Sequence, residues 1–328
     1  MRSVILTDTH LGIKNSNKEW LQTTYDLFIE VADYCNRNNI NKIIHLGDWF
    51  NSRYSINVLA IECSYNIIKM LKKNGIHLYI CIGNHDTYFK QQQEPHSLMI
   101  FNKHDNVTII DKPIEFDDEV ICPWGVVPEQ TDKKILMGHY EINGIVTNKT
   151  GHELTSAKLS ISDFKKFDKV LSGHFHTKSV TGNIEYIGSS FAMDFNDINS
   201  ERGYYCYEGG ELTEFIEYSG AAKFKQFTSE DDYSNIDIKG NICKLIFSES
   251  YSDTESAKII EKVRMFEPKE LHVDFKIETE ETTEEELFIG TNSEIIQHYI
   301  FNIMVLPDGL DKDILGEFIH KLENELIL

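Results

Sequence analysis

The sequence predicts an α/β fold with two sheet halves, followed by a small β-α-β unit and a helical C-terminal segment. Three observations lead to this prediction. Residues 4–82 alternate short apolar strands with amphipathic helices, which is typical of parallel strands covered by helices. From residue 107 the pattern changes to short strands separated by turns. Beyond residue 229, a strand, a helix and a strand follow in that order.

The N-terminal part predicts a β-α-β-α-β order, which produces parallel strands in one sheet. The second helix should end at Asn74-Gly75, because this pair is a common C-terminal cap. The expected elements are strands over 4–7, 42–46 and 76–82, and helices over 19–37 and 56–73.

The middle of the chain predicts a second group of strands with few helices. Glu208-Gly209-Gly210-Glu211 carries the glycine pair of a tight hairpin and should join the last two of these strands. Residues 1–228 are therefore expected to form one α/β domain with two sheet halves. The expected strands are 107–110, 119–122, 134–137, 169–171, 183–187, 203–207 and 212–218.

The C-terminal third predicts three further segments, beginning at the acidic stretch Ser229-Glu230-Asp231-Asp232. A strand over 241–247, a helix over 254–265 and a strand over 271–277 predict a small capping domain, 229–278. Residues 279–291 are expected to be an acidic linker, since six glutamates occur among the nine residues 278–286. Residues 292–328 should form a helical pair, 293–303 and 311–326, the second with an apolar stripe.

Composition limits the possible functions. The 328 residues carry 32 Lys and Arg against 53 Asp and Glu, a formal charge of −21. Such a surface repels nucleic acid on average, so a phosphate-bearing substrate would have to be held by a local device such as bound cations. The six cysteines lack CxxC spacing, which favours reduced thiols over a zinc ribbon. Neither a membrane span nor a signal peptide is predicted, so a cytoplasmic protein is expected.

Polar residues follow five predicted strands. Because α/β proteins place their sites where strands end, we expect these side chains to meet at one sheet edge. His174 and His176, two residues apart at a strand end, should point the same way. Each motif alone has the ordinary explanation of a turn or an ion pair, but five in order favour a site. The motifs are Asp8-Thr9-His10, Gly47-Asp48, Gly83-Asn84-His85-Asp86, Gly138-His139 and Gly173-His174-Phe175-His176.

The residue types in these motifs predict a metal site. Carboxylate, amide and imidazole together suit Mn²⁺, Fe²⁺ or Zn²⁺ better than Ca²⁺. They exceed what one ion requires, whereas two ions sharing a carboxylate at roughly 3.5–4 Å would use them all. His45, inside a strand, is expected to be a hydrogen-bonded core residue instead. The histidines at 77, 96, 104, 152, 272, 298 and 320 have no partner pattern and should be surface or packing residues.

These motifs resemble the five-part signature of calcineurin-like metallophosphoesterases. The combination of Gly47-Asp48-Trp49-Phe50, Gly83-Asn84-His85-Asp86 and Gly173-His174-Phe175-His176 resembles the SbcD branch. This branch contains the nuclease subunits of recombination and double-strand-break repair complexes, phage members included. The resemblance covers essentially the whole chain, although its specific motifs all precede residue 180. It implies a two-sheet metallophosphoesterase sandwich flanked by helices, a DNA-recognition role for the capping domain, and the host cytoplasm if the chain is phage-encoded.

The resemblance also implies a role for each site residue. Asp8, His10 and His176 would hold one ion, Asn84, His139 and His174 the other, and Asp48 would bridge them. His85 would stay off the metals and donate a proton to the leaving 3′ oxygen, while a metal-activated hydroxide attacks the phosphorus. The ions implied are two Mn²⁺, with Mg²⁺ as the other choice, and no organic cofactor is expected. Family members often carry His or Asp where this chain has Asn51, so no role is assigned to residue 51.

The resemblance further implies two protein partners. One is a second copy of the chain, bound through the helix over 56–73, within a 2:2 complex. That helix has apolar residues on two sides, which fits either a dimer interface or a fully buried core helix. The other is an SbcC-type SMC-like ATPase, held by the C-terminal helical pair. The alternative for that pair is docking on its own domain.

Three functions are compatible with these residues. The first is a DNA nuclease with exonuclease and endonuclease activity. The second is a metal-dependent phosphatase or phosphodiesterase acting on phosphoproteins or small phosphoesters. Protein phosphatases of this superfamily usually carry Gly-Asn-His-Glu, whereas this chain has Gly83-Asn84-His85-Asp86. The third, a non-catalytic scaffold, finds no support because the whole ligand set and His85 are present.

Overall fold

The computed structural model describes residues 1–90, 92–145, 157–198, 200–248 and 251–275. Met1–Phe275 forms one compact unit. The predicted acidic linker, 279–291, and the predicted helical pair, 292–328, lie outside the described residues. In the described part of the chain, no helix combines the length and apolarity that crossing a bilayer requires.

The first sheet is built from the predicted β-α-β-α-β run, and the parallel pairing of its strands is confirmed. Asn17 and Asn57 start the two long helices, because their side chains accept hydrogen bonds from the backbone N–H groups of Glu19 and Leu59. One short turn over Ile13–Ser16 precedes the first helix. The elements are β1 (Arg2–Leu6), α1 (Lys18–Arg37), β2 (Lys42–His45), α2 (Val58–Lys73), β3 (His77–Cys81) and β4 (Val107–Ile110).

The middle of the chain builds a second sheet and completes the first. The strands of this part are β5 (Ile114–Glu115), β6 (Glu119–Ile121), β7 (Ile135–His139), β8 (Ile142–Asn143), β9 (Leu159–Ser160), β10 (Lys169–Gly173), β11 (Ser179–Thr181), β12 (Ile184–Tyr186), β13 (Gly203–Glu208) and β14 (Glu211–Glu217). Of these, β8 and β9 pair with each other in a separate two-stranded sheet. The second sheet has the order β11-β12-β10-β7-β6-β5, and β14-β13-β1-β2-β3-β4 is the order of the first. The predicted hairpin is confirmed, with Glu208 opposite Glu211. Single 3₁₀ turns lie at Ser97–Phe101, Ile161–Phe164, Phe195–Asp197 and Tyr233–Asn235.

A third, parallel sheet contains the predicted β-α-β unit and one strand that was not predicted. Its elements are β15 (Phe224–Thr228), β16 (Ile242–Phe247), α3 (Asp253–Arg264) and β17 (Glu270–Phe275). The strand β15 begins before residue 229, the predicted start of the capping domain. Its two phenylalanines pack into different clusters: Phe224 packs with residues of α1, α2 and the first sheet, and Phe227 packs with residues of the third sheet. Because the two phenylalanines are three residues apart, β15 lacks the alternation of apolar and polar residues by which strands are predicted. The boundary of the capping domain stays a prediction.

The first two sheets pack face to face. One apolar cluster joins Ile5 and Ile44 of the first sheet to Met137 and Leu171 of the second, and all four side chains are fully buried. The helices α1 and α2 cover the other face of the first sheet. Because β7 and β10 of the second sheet are parallel to each other, their carboxyl ends lie side by side.

The helix α2 has one buried and one exposed apolar face. Ile67, Ile68 and Leu71 are fully buried, whereas Val58 is 76% exposed and Tyr65 49%. The alternative of a fully buried core helix is therefore wrong for the single chain.

Candidate metal centre

The seven candidate ligands and His85 lie at or after the ends of five strands. The expectation of one sheet edge is wrong, because three of these strands belong to the first sheet and two to the second. The packing of the two sheets brings both sets of ends together. Asp8 and His10 follow β1, Asp48 follows β2, Asn84 and His85 follow β3, His139 ends β7, and His174 and His176 follow β10.

Asp8, His10 and His176 form the first group of candidate ligands. The Nε2 atoms of His10 and His176 lie 3.2 Å apart. Asp8 Oδ1 lies 3.7 Å from His10 Nε2 and 3.9 Å from His176 Nε2. Asp8 is fully buried, and its Oδ1 atom accepts no hydrogen bond. A buried carboxylate oxygen without a donor is costly, and a cation at this point would compensate it.

Asn84, His139 and His174 form the second group. Asn84 Oδ1 lies 3.0 Å from His139 Nε2 and 2.9 Å from His174 Nδ1. His139 Nδ1 lies 2.7 Å from the carbonyl oxygen of Leu46, which can only accept. When His139 is neutral, its proton therefore sits on Nδ1, and the Nε2 lone pair faces the group.

Asp48 lies between the two groups. Its Oδ2 atom is 3.6 Å from His10 Nε2 and 3.3 Å from His139 Nε2. Its Oδ1 atom accepts a hydrogen bond from the backbone N–H of His85 at 2.8 Å. One carboxylate thus faces a histidine of each group, which is the arrangement that a bridging ligand requires.

The geometry fits a pair of divalent cations. Ligand atoms sit about 2.0–2.2 Å from such an ion, so two ligands of one ion lie roughly 3–4 Å apart. The separations above fall within that range. The unpaired oxygen of Asp8 and the mixture of carboxylate, amide oxygen and imidazole point in the same direction.

The backbone of the site is strained. Asp8, His10, Asp48 and His174 have φ values of 53°, 43°, 56° and 93°, in the left-handed region that favours glycine. Such conformations cluster at functional sites, where the surrounding structure holds them in place. The positive φ of His174 also turns the chain after β10. The prediction that His174 and His176 point the same way is therefore wrong, and each ring faces a different group.

Gly83 allows a close approach between two of the strand ends. A Cβ atom at this position would lie 2.2 Å from both the backbone nitrogen and Oδ1 of Asp48. The backbone after β3 therefore touches the loop after β2, and only glycine leaves room for Asp48.

The charges of the site support one another. Burial alone would raise the pKa of Asp48, but the positive charge of His139 and its hydrogen bond outweigh that effect, and the pKa lies well below the usual value. Burial would lower the pKa of His139, yet Asp48 and Asp8 raise it to about 9. Burial, with the neighbouring charge of His139, lowers the pKa of His174 to about 3. Burial would likewise raise the pKa of Asp8, but the neighbouring histidines, His10 first, lower it below its usual value. Both aspartates therefore stay ionised, which suits cation binding.

His85 lies beside the two groups. A ring nitrogen of His85 comes within 4.8 Å of ligand atoms of His10 and Asp48. Its Nδ1 atom lies 2.7 Å from the carbonyl oxygen of Asn51, so Nδ1 carries the proton and Nε2 is the free nitrogen. This contact gives residue 51 a role that sequence reasoning could not find, because any residue supplies a carbonyl.

Two further side chains support the site from behind. Asp86 was part of a predicted motif without a role. Its carboxylate accepts backbone hydrogen bonds from Gly83 at 2.9 Å, Trp49 at 3.2 Å and Phe50 at 3.1 Å. It thereby ties the loop after β3 to the loop after β2. His45 is buried as predicted, and its Nε2 atom lies 3.0 Å from Thr9 Oγ1.

We predict that Gly83→Ala abolishes cation binding at the shared carboxylate, because the new methyl group displaces Asp48. Calorimetric titration of the metal-free protein with Mn²⁺ measures the change in binding. Gly182→Ala is the control, since a Cβ there meets no atom within 4 Å, even though Gly182 has a positive φ and Gly83 does not. Unchanged Mn²⁺ binding in a folded Gly83→Ala protein would contradict the prediction.

Comparisons with known proteins agree with this geometry. The family model described as calcineurin-like phosphoesterase matches residues 1–178. The chain is 27% identical to exonuclease subunit 1 of Enterobacteria phage T4, over 98% of each chain. It is 25% identical to the DNA double-strand break repair protein Mre11 of Methanococcus maripaludis, over 71% of this chain and 72% of that protein. The Mre11 protein of Sulfurisphaera tokodaii is 26% identical over 53% of this chain and 49% of its own. The chain belongs to the calcineurin-like phosphoesterase family.

Proposed function

We propose that this chain is the nuclease subunit of an SbcCD-like recombination and repair complex and cleaves DNA phosphodiesters as both exonuclease and endonuclease. The observation that carries the proposal is the position of the Asp48 carboxylate between two groups of metal-type ligands. The relatives support DNA as the substrate, since they are named as an exonuclease subunit and as double-strand break repair proteins. Membership of a hydrolytic phosphoesterase family supports the reaction class.

Seven side chains are the proposed ligands of a divalent ion pair. Asp8, His10 and His176 form one set, Asn84, His139 and His174 the other, and Asp48 belongs to both. When bound, such a pair supplies Lewis-acid stabilisation of phosphate oxygens and lowers the pKa of water so that it can act as a nucleophile. Mn²⁺ is the proposed ion, with Mg²⁺ as the alternative, because imidazole and carboxylate ligands together suit Mn²⁺.

The ligands also resolve the conflict between an acidic protein and a phosphate substrate. The chain carries a formal charge of −21, which opposes the approach of DNA. The group contains two carboxylates, Asp8 and Asp48, and four imidazoles with one amide. Two divalent cations among them leave a locally positive pocket, and this pocket would attract the phosphate. Most other phosphate contacts are expected to come from a partner.

His85 is proposed as the proton donor to the leaving 3′ oxygen. Its Nδ1–H is fixed by the carbonyl of Asn51, which leaves Nε2 to hold and release the transferred proton. Burial lowers the pKa of His85, with smaller effects from its charged neighbours, and a lower pKa makes the protonated ring a stronger acid. Its backbone N–H donates to Asp48, so the proton donor and the shared carboxylate keep a fixed separation.

Two protein partners belong to the proposal. The exposed apolar face of α2, formed by Val58, Leu59, Ile61 and Tyr65, supports a homodimer, because a monomer gains nothing from exposing these side chains. An SbcC-type SMC-like ATPase is the proposed partner of residues 292–328, which lie outside the described residues. Together they would form the 2:2 complex implied by the family resemblance.

His85→Ala should lower Mn²⁺-dependent release of nucleotides from linear DNA by about 10²–10⁴-fold, because the leaving oxygen loses its acid. Mn²⁺ binding should stay unchanged. The matched control is His77→Ala, whose ring contacts Thr108 in the first sheet. A phosphopeptide assayed in parallel should not be hydrolysed. If His85→Ala cleaves DNA at the wild-type rate, His85 is not the proton donor. If the wild-type protein hydrolyses the phosphopeptide faster than it cleaves DNA, the phosphatase alternative is favoured.

Tyr65→Glu should convert a dimer of the full chain into a monomer, because the charge would be buried in the proposed α2 interface. Light scattering after size-exclusion chromatography measures the mass. Val180→Glu is the control, since Val180 is 62% exposed on β11 of the other sheet. A wild-type monomer, or a Tyr65→Glu dimer, would contradict the proposed interface.

A further inference from the structure

A buried ion pair lies behind the first group of candidate ligands. Arg202 is 6% exposed and Asp197 is 5% exposed. The Nη2 atom of Arg202 donates to Asp197 Oδ1 at 2.7 Å. Both residues lie in the segment between β12 and β13, outside the five strand-end motifs and beyond residue 178, where the family match ends.

The guanidinium of Arg202 also donates to the site itself. Its Nη1 atom donates to the backbone carbonyl of His176 and, at 2.6 Å, to Ser189 Oγ. Its Nε atom donates to Ser200 Oγ at 2.9 Å. Arginine presents these donors in a rigid plane, so four acceptors fix its position.

The carbonyl of His176 is held from a second side. The backbone N–H of Ser189 donates to it at 3.0 Å. A Cβ atom on the adjacent Gly188 would lie 2.9 Å from the same oxygen, so the two backbone segments pack without spare room. The carbonyl and the imidazole of His176 are attached to the same Cα atom. Fixing the carbonyl therefore limits where His176 Nε2 can lie relative to His10 Nε2, 3.2 Å away.

Asp197 is itself fixed on both sides. Its Oδ2 atom accepts a hydrogen bond from the backbone N–H of Met193 at 2.8 Å. Its carbonyl accepts one from Ser200 Oγ at 2.6 Å. The carboxylate thus neutralises Arg202 and sets the direction of the guanidinium plane.

We propose that Arg202 and Asp197 are positioning residues for the cation site of Asp8, His10 and His176. They act through the backbone of His176 and contact neither substrate nor metal. The inference rests on the two-ion site of the proposed function. The alternative is an ion pair that contributes to folding alone, but buried ion pairs add little stability over apolar pairs, whereas this one is bonded directly to the backbone of a candidate ligand.

Two variants test the proposal in the full chain. Arg202→Lys keeps the positive charge but replaces the planar set of donors by one ammonium, which cannot reach all the acceptors. Asp197→Asn keeps the size of the partner and removes its charge. Tyr207→Phe is the control, since it removes a buried hydrogen bond of 2.9 Å to Glu119, away from the site. Mn²⁺ is titrated calorimetrically into each metal-free protein, and urea unfolding is recorded alongside.

Wild-type protein should bind two Mn²⁺ ions. Arg202→Lys and Asp197→Asn should weaken one of the two by about 10–100-fold and leave the other unchanged, as loss of a residue that orients a ligand does. Tyr207→Phe should leave both affinities unchanged even if it unfolds at lower urea. In a His176→Ala background, Arg202→Lys should have no further effect on Mn²⁺ affinity, because its effect passes through His176.

Three results would overturn the positioning role: unchanged Mn²⁺ affinities in both variants, an equal loss at both ions, or the same loss with and without His176. Binding of fewer than two ions by the wild type would overturn the two-ion site and the positioning role together. Two wild-type ions with unaffected variants would overturn the positioning role only, so the two failures are distinguishable.

Discussion

The structure depends above all on the burial of the Asp48 carboxylate between two groups of ligand-type side chains. Asp48 is 2% exposed, and a carboxylate in such a place requires compensation from every side. One of its oxygens accepts the N–H of His85 and the other faces His10 and His139. These contacts are possible only because strand ends from two different sheets meet at this point. The site around Asp48 therefore forms only when the two sheets pack face to face.

The backbone around the site adopts strained conformations, which cost free energy of folding. Four non-glycine candidate ligands have positive φ, each costing on the order of 1 kcal/mol or more. Asp86 offsets part of this cost by accepting three backbone N–H groups, and it draws together the loops that carry Asp48 and Asn84. Burial, with the nearby charge of Asp48, raises the pKa of Asp86 to about 7. Asp86 is part of a sequence motif but is not a candidate ligand, and these hydrogen bonds explain its place in the motif.

The features that depend on residues close together in the sequence could be predicted. The helices, the parallel strands and the strand-end motifs follow from periodicity and glycine positions, which act over a few residues. Contacts between distant segments were not predictable. The divergence of His174 and His176 depends on one positive φ, and the role of Asn51 on a carbonyl that carries no sequence signal. Arg202, in the segment between β12 and β13, contacts the carbonyl of His176, which is 26 residues earlier in the chain. The two phenylalanines of β15 pack into different clusters.

Anomalous scattering from a crystal of the full chain grown with Mn²⁺ would show whether two ions share the Asp48 carboxylate. Two manganese peaks are expected, one on each side of that carboxylate and roughly 3.5–4 Å apart. A single peak, or none at saturating Mn²⁺, would contradict the two-ion site.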